Sequence, residues 1–341
     1  MTGTGSFMTE RRSPVLGSSN GAPTFHRGLR AAAIGATALT LLLVAVGGLV
    51  RATNSGEGCT GWPKCSAGRW LPPLEYHAVI EYSHRMTAFL DIVLVGILVV
   101  VAWRQYRTVA RVFRPAVAAV LLIVAQAVLG GIVVEGALAP LLVTAHFATA
   151  MILTAVLVYA TIAAYTLHAR SRHRADELTR LAWAVAAGTF ALLLVGAYVR
   201  GENAGLVFAG WPLMNGRAIP TLSSVPAALQ FTHRVLALSI GLSLGWLVVR
   251  AWGNRAERPA AAVLALVAAG LFATQVLLGA ALVWTAKAAP AVVGHVAVSS
   301  LVWGALIAVA ATARPNPPAI AQRLDRDVAA DLPTGMTRNT A

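Results

Sequence analysis

Four histidines carry most of the chemistry that this sequence of 341 residues can offer. His84, His146, His233 and His295 each fall inside a long apolar run. An ionisable side chain is costly there and marks a functional site by default. They come as two pairs, because His84 and His233 are 149 positions apart, and so are His146 and His295. Two imidazoles from facing helices, with no soft ligand beside them, suit a haem iron held on both axial sides in a bundle core. Zinc is a rival, but a zinc site wants three or four ligands in one cluster. The plain alternative is four histidines that hydrogen-bond between helices; pairing by depth and repetition at one offset weigh against it. His26, His168 and His173 fall in terminal or connecting segments. His77, seven residues before His84, stands at the membrane boundary and could approach that site.

The two copies are not equivalent. Glu81 lies three residues before His84, on the same helical face, and its counterpart before His233 is Gln230. A carboxylate beside one haem can accept a proton or steady a cationic intermediate; the competing role is an i,i+4 ion pair with Arg85. Cys59 and Cys65 are the only cysteines, and Phe208 and Met214 stand in their places in the second copy. In an oxidising compartment they are expected to form a disulfide, with loop ordering and thiol redox chemistry both open as its role. Asp91, seven residues beyond His84, has Ile240 as counterpart; a proton route and a bond to a neighbouring helix are both open to it. Arg85 and Arg234 follow the first histidine of each pair. Gln126 and Gln275 recur as pocket-lining or interhelical groups.

These residues must be positioned by membrane helices. Hydrophobic residues make up 57% of the chain and charged residues 12%, too little polar surface for a water-soluble globule, and the mean hydropathy is +0.70. Apolar runs predict eight spans, at about 30–50, 79–102, 114–134, 141–166, 179–199, 226–249, 260–284 and 291–312. Of the Lys and Arg outside the spans, nineteen fall in the tails and alternate loops on one side and six on the other. The positive-inside rule then places both termini in the cytoplasm of a multi-pass cell-membrane protein, with the four histidines near the outer face. The net charge of +14 is thereby explained without a nucleic-acid partner.

The offset of 149 extends beyond the histidines. Arg51 meets Arg200, Gly61-Trp62-Pro63 meets Gly210-Trp211-Pro212, Gln126 meets Gln275 and Gly130 meets Gly279. Each copy holds an even number of spans, so the repeats are parallel, related by an axis along the membrane normal. The expected fold is all-α: eight transmembrane helices as two tandem, pseudo-two-fold related four-helix bundles. The bundles are assigned to 29–167 and 181–312, the linker to 168–180, and disordered cytoplasmic tails to 1–28 and 313–341, the first helix following as an uncleaved span. A transporter would need a midplane site, and the histidines lie too near one surface.

Glu81-Tyr82-Ser83-His84-Arg85 resembles the Glu-x-x-His-Arg signature of the haem A synthase family, and Cys59-Thr-Gly-Trp-Pro-Lys-Cys65 resembles that family's outer-loop cysteine pair. The resemblance covers about residues 30–312. It implies an oxidoreductase that converts the C8 methyl of haem O to a formyl, giving haem A for cytochrome oxidase. It further implies that His84 and His146 hold the substrate haem, that His233 and His295 hold a haem b cofactor that passes electrons, and that Glu81 is catalytic. Haem O synthase and cytochrome oxidase assembly factors are the implied partners, within membrane lipid; homo-oligomerisation is left open. The alternative from another class is a di-haem b-type membrane cytochrome exchanging electrons with quinone.

Overall fold

The computed structural model describes residues 22–66, 68–167 and 175–314. Eight helices dominate them: α1 (Ala22–Ala52), α2 (Tyr76–Tyr106), α3 (Ala110–Glu135), α4 (Pro140–Tyr165), α5 (Glu177–Gly201), α6 (Val225–Gly253), α7 (Pro259–Trp284) and α8 (Ala289–Thr312). All eight are long and apolar enough to cross a membrane, and no strand occurs among the described residues. The chain is a multi-pass membrane protein. Each helix contains one expected span, apart from residue 166 of the fourth, and most run past it, because polar turns continue a helix after its hydropathy has fallen. The tails and linker assigned from composition lie largely outside the described residues. Where they are described, residues 22–28 continue α1 and 177–180 open α5.

Local chemistry sets the helix starts. Proline occupies the first or second position of α4, α6, α7 and α8, where its missing N–H costs nothing and its fixed φ is already helical. Ser224 caps α6 and Asp176 caps α5 through their side chains.

Helices α1–α4 pack on one another as one bundle and α5–α8 as a second. Between the bundles, α1 meets α8, α4 meets α5, and α4 meets α8. Exchanging the halves swaps the first two contacts and returns the third to itself, as a two-fold axis requires. Buried faces are rich in alanine, among them Ala33, Ala36, Ala116 and Ala119 in the first bundle and Ala261, Ala265 and Ala268 in the second. Small side chains let helices approach closely, a main source of association in lipid. Leu121, Leu242 and Leu277 are exposed and form part of the lipid-facing surface.

At the end away from the histidines, Asp176, Thr179 and Arg258 lock the second bundle. Buried Arg258 lies 2.5 Å from Asp176 and donates to the Ala313 carbonyl at 2.8 Å. Thr179 donates to Asp176 and to the same carbonyl. Partial burial alone would raise the Asp176 carboxyl, but hydrogen bonds from Arg258 and Thr179 override it and hold the group at about 2. A carboxylate depressed in this way stabilises the fold above its unfolded value of about 3.9, and that contribution is lost as pH falls towards 2. Arg258→Leu is expected to cost about 2–3 kcal/mol. That is less than for a fully enclosed pair, because Asp176 reaches water. Thermal unfolding in detergent checks it: wild type should melt higher at pH 7, and the gap should narrow as pH falls from about 4 to 2. A gap independent of pH would remove the carboxylate from the account.

Candidate haem site

His84 and His233 lie about two turns into α2 and α6, and His146 and His295 about two turns into α4 and α8. The four even-numbered helices start at the same end, so the histidines form one layer. Within each bundle one ring comes from each of two helices, His84 from α2 and His146 from α4 in the first, His233 from α6 and His295 from α8 in the second. Among the described residues no three of His, Cys, Asp or Glu converge; the donors come two per bundle.

Each ring is seated against a glycine of the adjoining helix. A Cβ on Gly47 of α1 would stand 3.3 Å from His84 Cε1, and one on Gly130 of α3 would stand 3.2 Å from His146 Cε1. Gly196 of α5 and Gly279 of α7 take the same places for His233 and His295, at 2.9 and 3.4 Å. The glycines obey the 149 offset as the histidines do. In all four rings Nδ1 is buried without a hydrogen-bond partner. A buried polar nitrogen left unpaired is uncommon and calls for an explanation such as a ligand.

The flanking residues hold the loop that covers this layer. Glu81 Oε2 accepts from the Cys59 backbone N–H at 2.8 Å, and Oε1 pairs with Arg85 at 2.5 Å. Arg85 also donates to the Gly61 carbonyl at 2.8 Å. In the second copy Gln230 Oε1 accepts from the Phe208 N–H at 2.8 Å, Gln230 Nε2 donates to Gly205 O, and Arg234 donates to Gly210 O. Acid and amide therefore share one anchoring task, and the arginines contact loop carbonyls. The ion pair that competed with a free carboxylate is formed.

Cys59 and Cys65 form a disulfide, both buried. In the second loop Phe208 and Met214 pack together with Ala227 and Phe231, so an apolar contact closes the loop where the first uses a covalent bond. Trp62, inside the disulfide loop, lies on Gly131, next to the glycine that seats His146.

Gln126 bonds the layer directly: its Nε2 donates to the His146 carbonyl at 3.0 Å and lies 3.2 Å from His146 Nε2. Gln275 Oε1 is buried and unpartnered. Asp91 accepts from Thr40 of α1 at 2.7 Å, which makes it an interhelical tie. His77 is exposed and hydrogen-bonds Ser55, which keeps it with the loop.

Residues 30–79 and 74–307 match the model of a family described as cytochrome oxidase assembly protein. The chain belongs to that family. The heme A synthase of Symbiobacterium thermophilum is 32% identical over 257 residues, covering 71% of this chain and 83% of that protein. Those of Alkalihalophilus pseudofirmus and Shouchella clausii are 31% and 32% identical, each covering 67% of this chain and 77% and 76% of their own.

The sequence alone shows none of the four glycines as a partner of a histidine: Gly130 and Gly279 stand in it only as repeat landmarks, and Gly47 and Gly196 follow the same offset. Gly196 is the tighter seat. Gly196→Val is expected to push His233 aside at the about 1–3 kcal/mol typical of overpacking. That weakens haem retention by about 5- to 140-fold at ~1.4 kcal/mol per decade. Gly245, on α6 with open space around it, is the control: Gly245→Val should retain haem as wild type does. Equal retention by both variants would show that the glycine seat is dispensable.

Proposed function

We propose that this protein is a haem A synthase. It takes haem O into the first bundle between His84 and His146 and carries a haem b cofactor between His233 and His295 in the second. The observation that carries this reading is the repeated arrangement of two buried, glycine-seated imidazoles per bundle, each with an unpartnered nitrogen, in a family whose relatives above are named heme A synthase. The donor set fits haem: neutral nitrogen ligands in pairs, from helices facing across a bundle core. When bound, the haem iron supplies the redox chemistry by which the C8 methyl becomes a formyl.

The chain's own residues bind, orient and exclude water. His84 and His146 fix the substrate ring in depth, with Gly47 and Gly130 allowing the imidazoles their places. Gln126 restrains His146. The loop from Cys59 to Cys65, clamped by Glu81 and Arg85 and weighted by Trp62, covers the first site. Oxidation of a methyl group releases protons, and the Glu81 carboxylate, three residues from His84, is the acceptor we assign to them. The residues that form the first bundle (29–167) thus serve the substrate, and those of the second (181–312) the electron-carrying haem b.

Absorption spectroscopy and haem extraction from the purified protein test this. Haem b with haem O and haem A is the expected content. Haem b alone, in a host that makes haem O, would overturn the reading in favour of an electron-transfer cytochrome.

The charge bias of the loops further leads us to place both termini in the cytoplasm and the histidine layer near the opposite face of the cell membrane. A tag at the C-terminus should be unreachable by impermeant label in intact spheroplasts and labelled after lysis. Labelling before lysis would invert the topology.

A further inference from the structure

Arg51 and Arg200 are the last basic residues of α1 and α5, at the same end as the histidine layer. They are repeat counterparts, and they meet: Arg200 donates from a terminal nitrogen to the backbone carbonyl of Arg51 at 3.0 Å. Both side chains are half-buried, and Nε of each is buried without a partner. Among the described residues neither forms an ion pair with a carboxylate, although Arg85, Arg250 and Arg258 all do. The Arg51 guanidinium donates no hydrogen bond there, and that of Arg200 otherwise reaches only Asn203 Oδ1, at 3.4 Å. Two adjacent cations at a membrane boundary, with buried donors unused, are expensive unless an anion completes them.

Their placement says which anion. Arg51 is one turn beyond Gly47, the seat of His84, and Arg200 one turn beyond Gly196, the seat of His233. Gly48 of the same α1 turn packs on Val296, the residue after His295. The arginine pair therefore lies at the rim of both histidine sites, on the seam between the bundles. Haem carries two flexible carboxylates on one edge, and guanidinium is the side chain suited to bind carboxylate in a fork.

We infer that Arg51 and Arg200 form one anion site at the seam that takes a tetrapyrrole carboxylate from each half. The inference rests on the haem-binding reading above. One pair of residues then fixes the rotational setting of both rings and couples their charge.

The test is a Soret titration of purified, haem-depleted protein with haem b and with haem b dimethyl ester, in which the carboxylates are masked. Wild type should bind the free acid about 10-fold or more tightly than the ester. Arg51→Gln and Arg200→Gln should each weaken the acid towards the ester and leave ester binding unchanged. The double variant Arg51→Lys with Arg200→Lys should keep part of the preference, which a misfolded protein would not. Equal binding of acid and ester by wild type would overturn the inference while leaving histidine ligation intact. Uptake of neither would overturn the haem reading with it. Phospholipid phosphate lost from the glutamine variants, with acid preference unchanged, would also overturn it and give the site to a lipid headgroup.

Discussion

His233→Ala and His295→Ala are each expected to abolish the low-spin haem b spectrum of the purified protein. The second bundle offers the iron two imidazoles, one from α6 and one from α8, and no third group among His, Cys, Asp and Glu gathers there among the described residues. Neither loss can be made up by a neighbour. Alanine also leaves a gap against Gly196 or Gly279, where the ring is now packed, so the pocket loses shape as well as a ligand. Far-UV circular dichroism should stay helical, because eight long helices and the interbundle contacts of α1 with α8, α4 with α5 and α4 with α8 extend well beyond either ring. His77→Ala is the matched control: His77 is exposed and bonded to Ser55, and its removal should leave the spectrum unchanged. Wild-type spectra from both ligand variants would show that the iron is held elsewhere.

Much of the fold is legible in the sequence. Eight spans follow from hydropathy, because the bilayer imposes a length on each helix. The histidine layer follows from one offset, because an ungapped sequence repeat keeps its register across whole helices. What was not legible depends on contacts between a loop and a helix. Glu81 and Cys59 are 22 residues apart with no periodicity joining them, so nothing in the chain announces that the carboxylate accepts from that N–H. The same holds for Arg85 and Gly61, and for Phe208 packing with Met214 in place of the disulfide. Gly47 and Gly196 were hidden for another reason. In apolar helices glycine is common, and only the imidazole opposite distinguishes these two. The partner of Asp91 is Thr40 of α1, 51 residues away on another helix, and no spacing in the chain joins the two.

Those loop contacts sharpen the remaining prediction, which concerns Glu81. Replacement by alanine would remove an anchor of the disulfide loop together with any proton acceptor, and a loss of activity would have two explanations. Glutamine separates them, because the protein already contains the experiment: Gln230 holds the second loop through the same bond to a backbone N–H, 2.8 Å in both copies. Glu81→Gln should therefore keep the Cys59 contact, and Arg85 should keep the Gly61 carbonyl. The charge and the basicity go. If Glu81 takes up protons released from the reacting methyl, conversion of haem O to haem A should fall by roughly 10²–10⁴-fold, the usual worth of a positioned acid or base. Haem b content and the disulfide should stay as in wild type. Haems extracted from cells dependent on this variant would show haem O accumulating. Haem A at normal levels would confine Glu81 to holding the loop, the task that Gln230 performs in the other half without a charge.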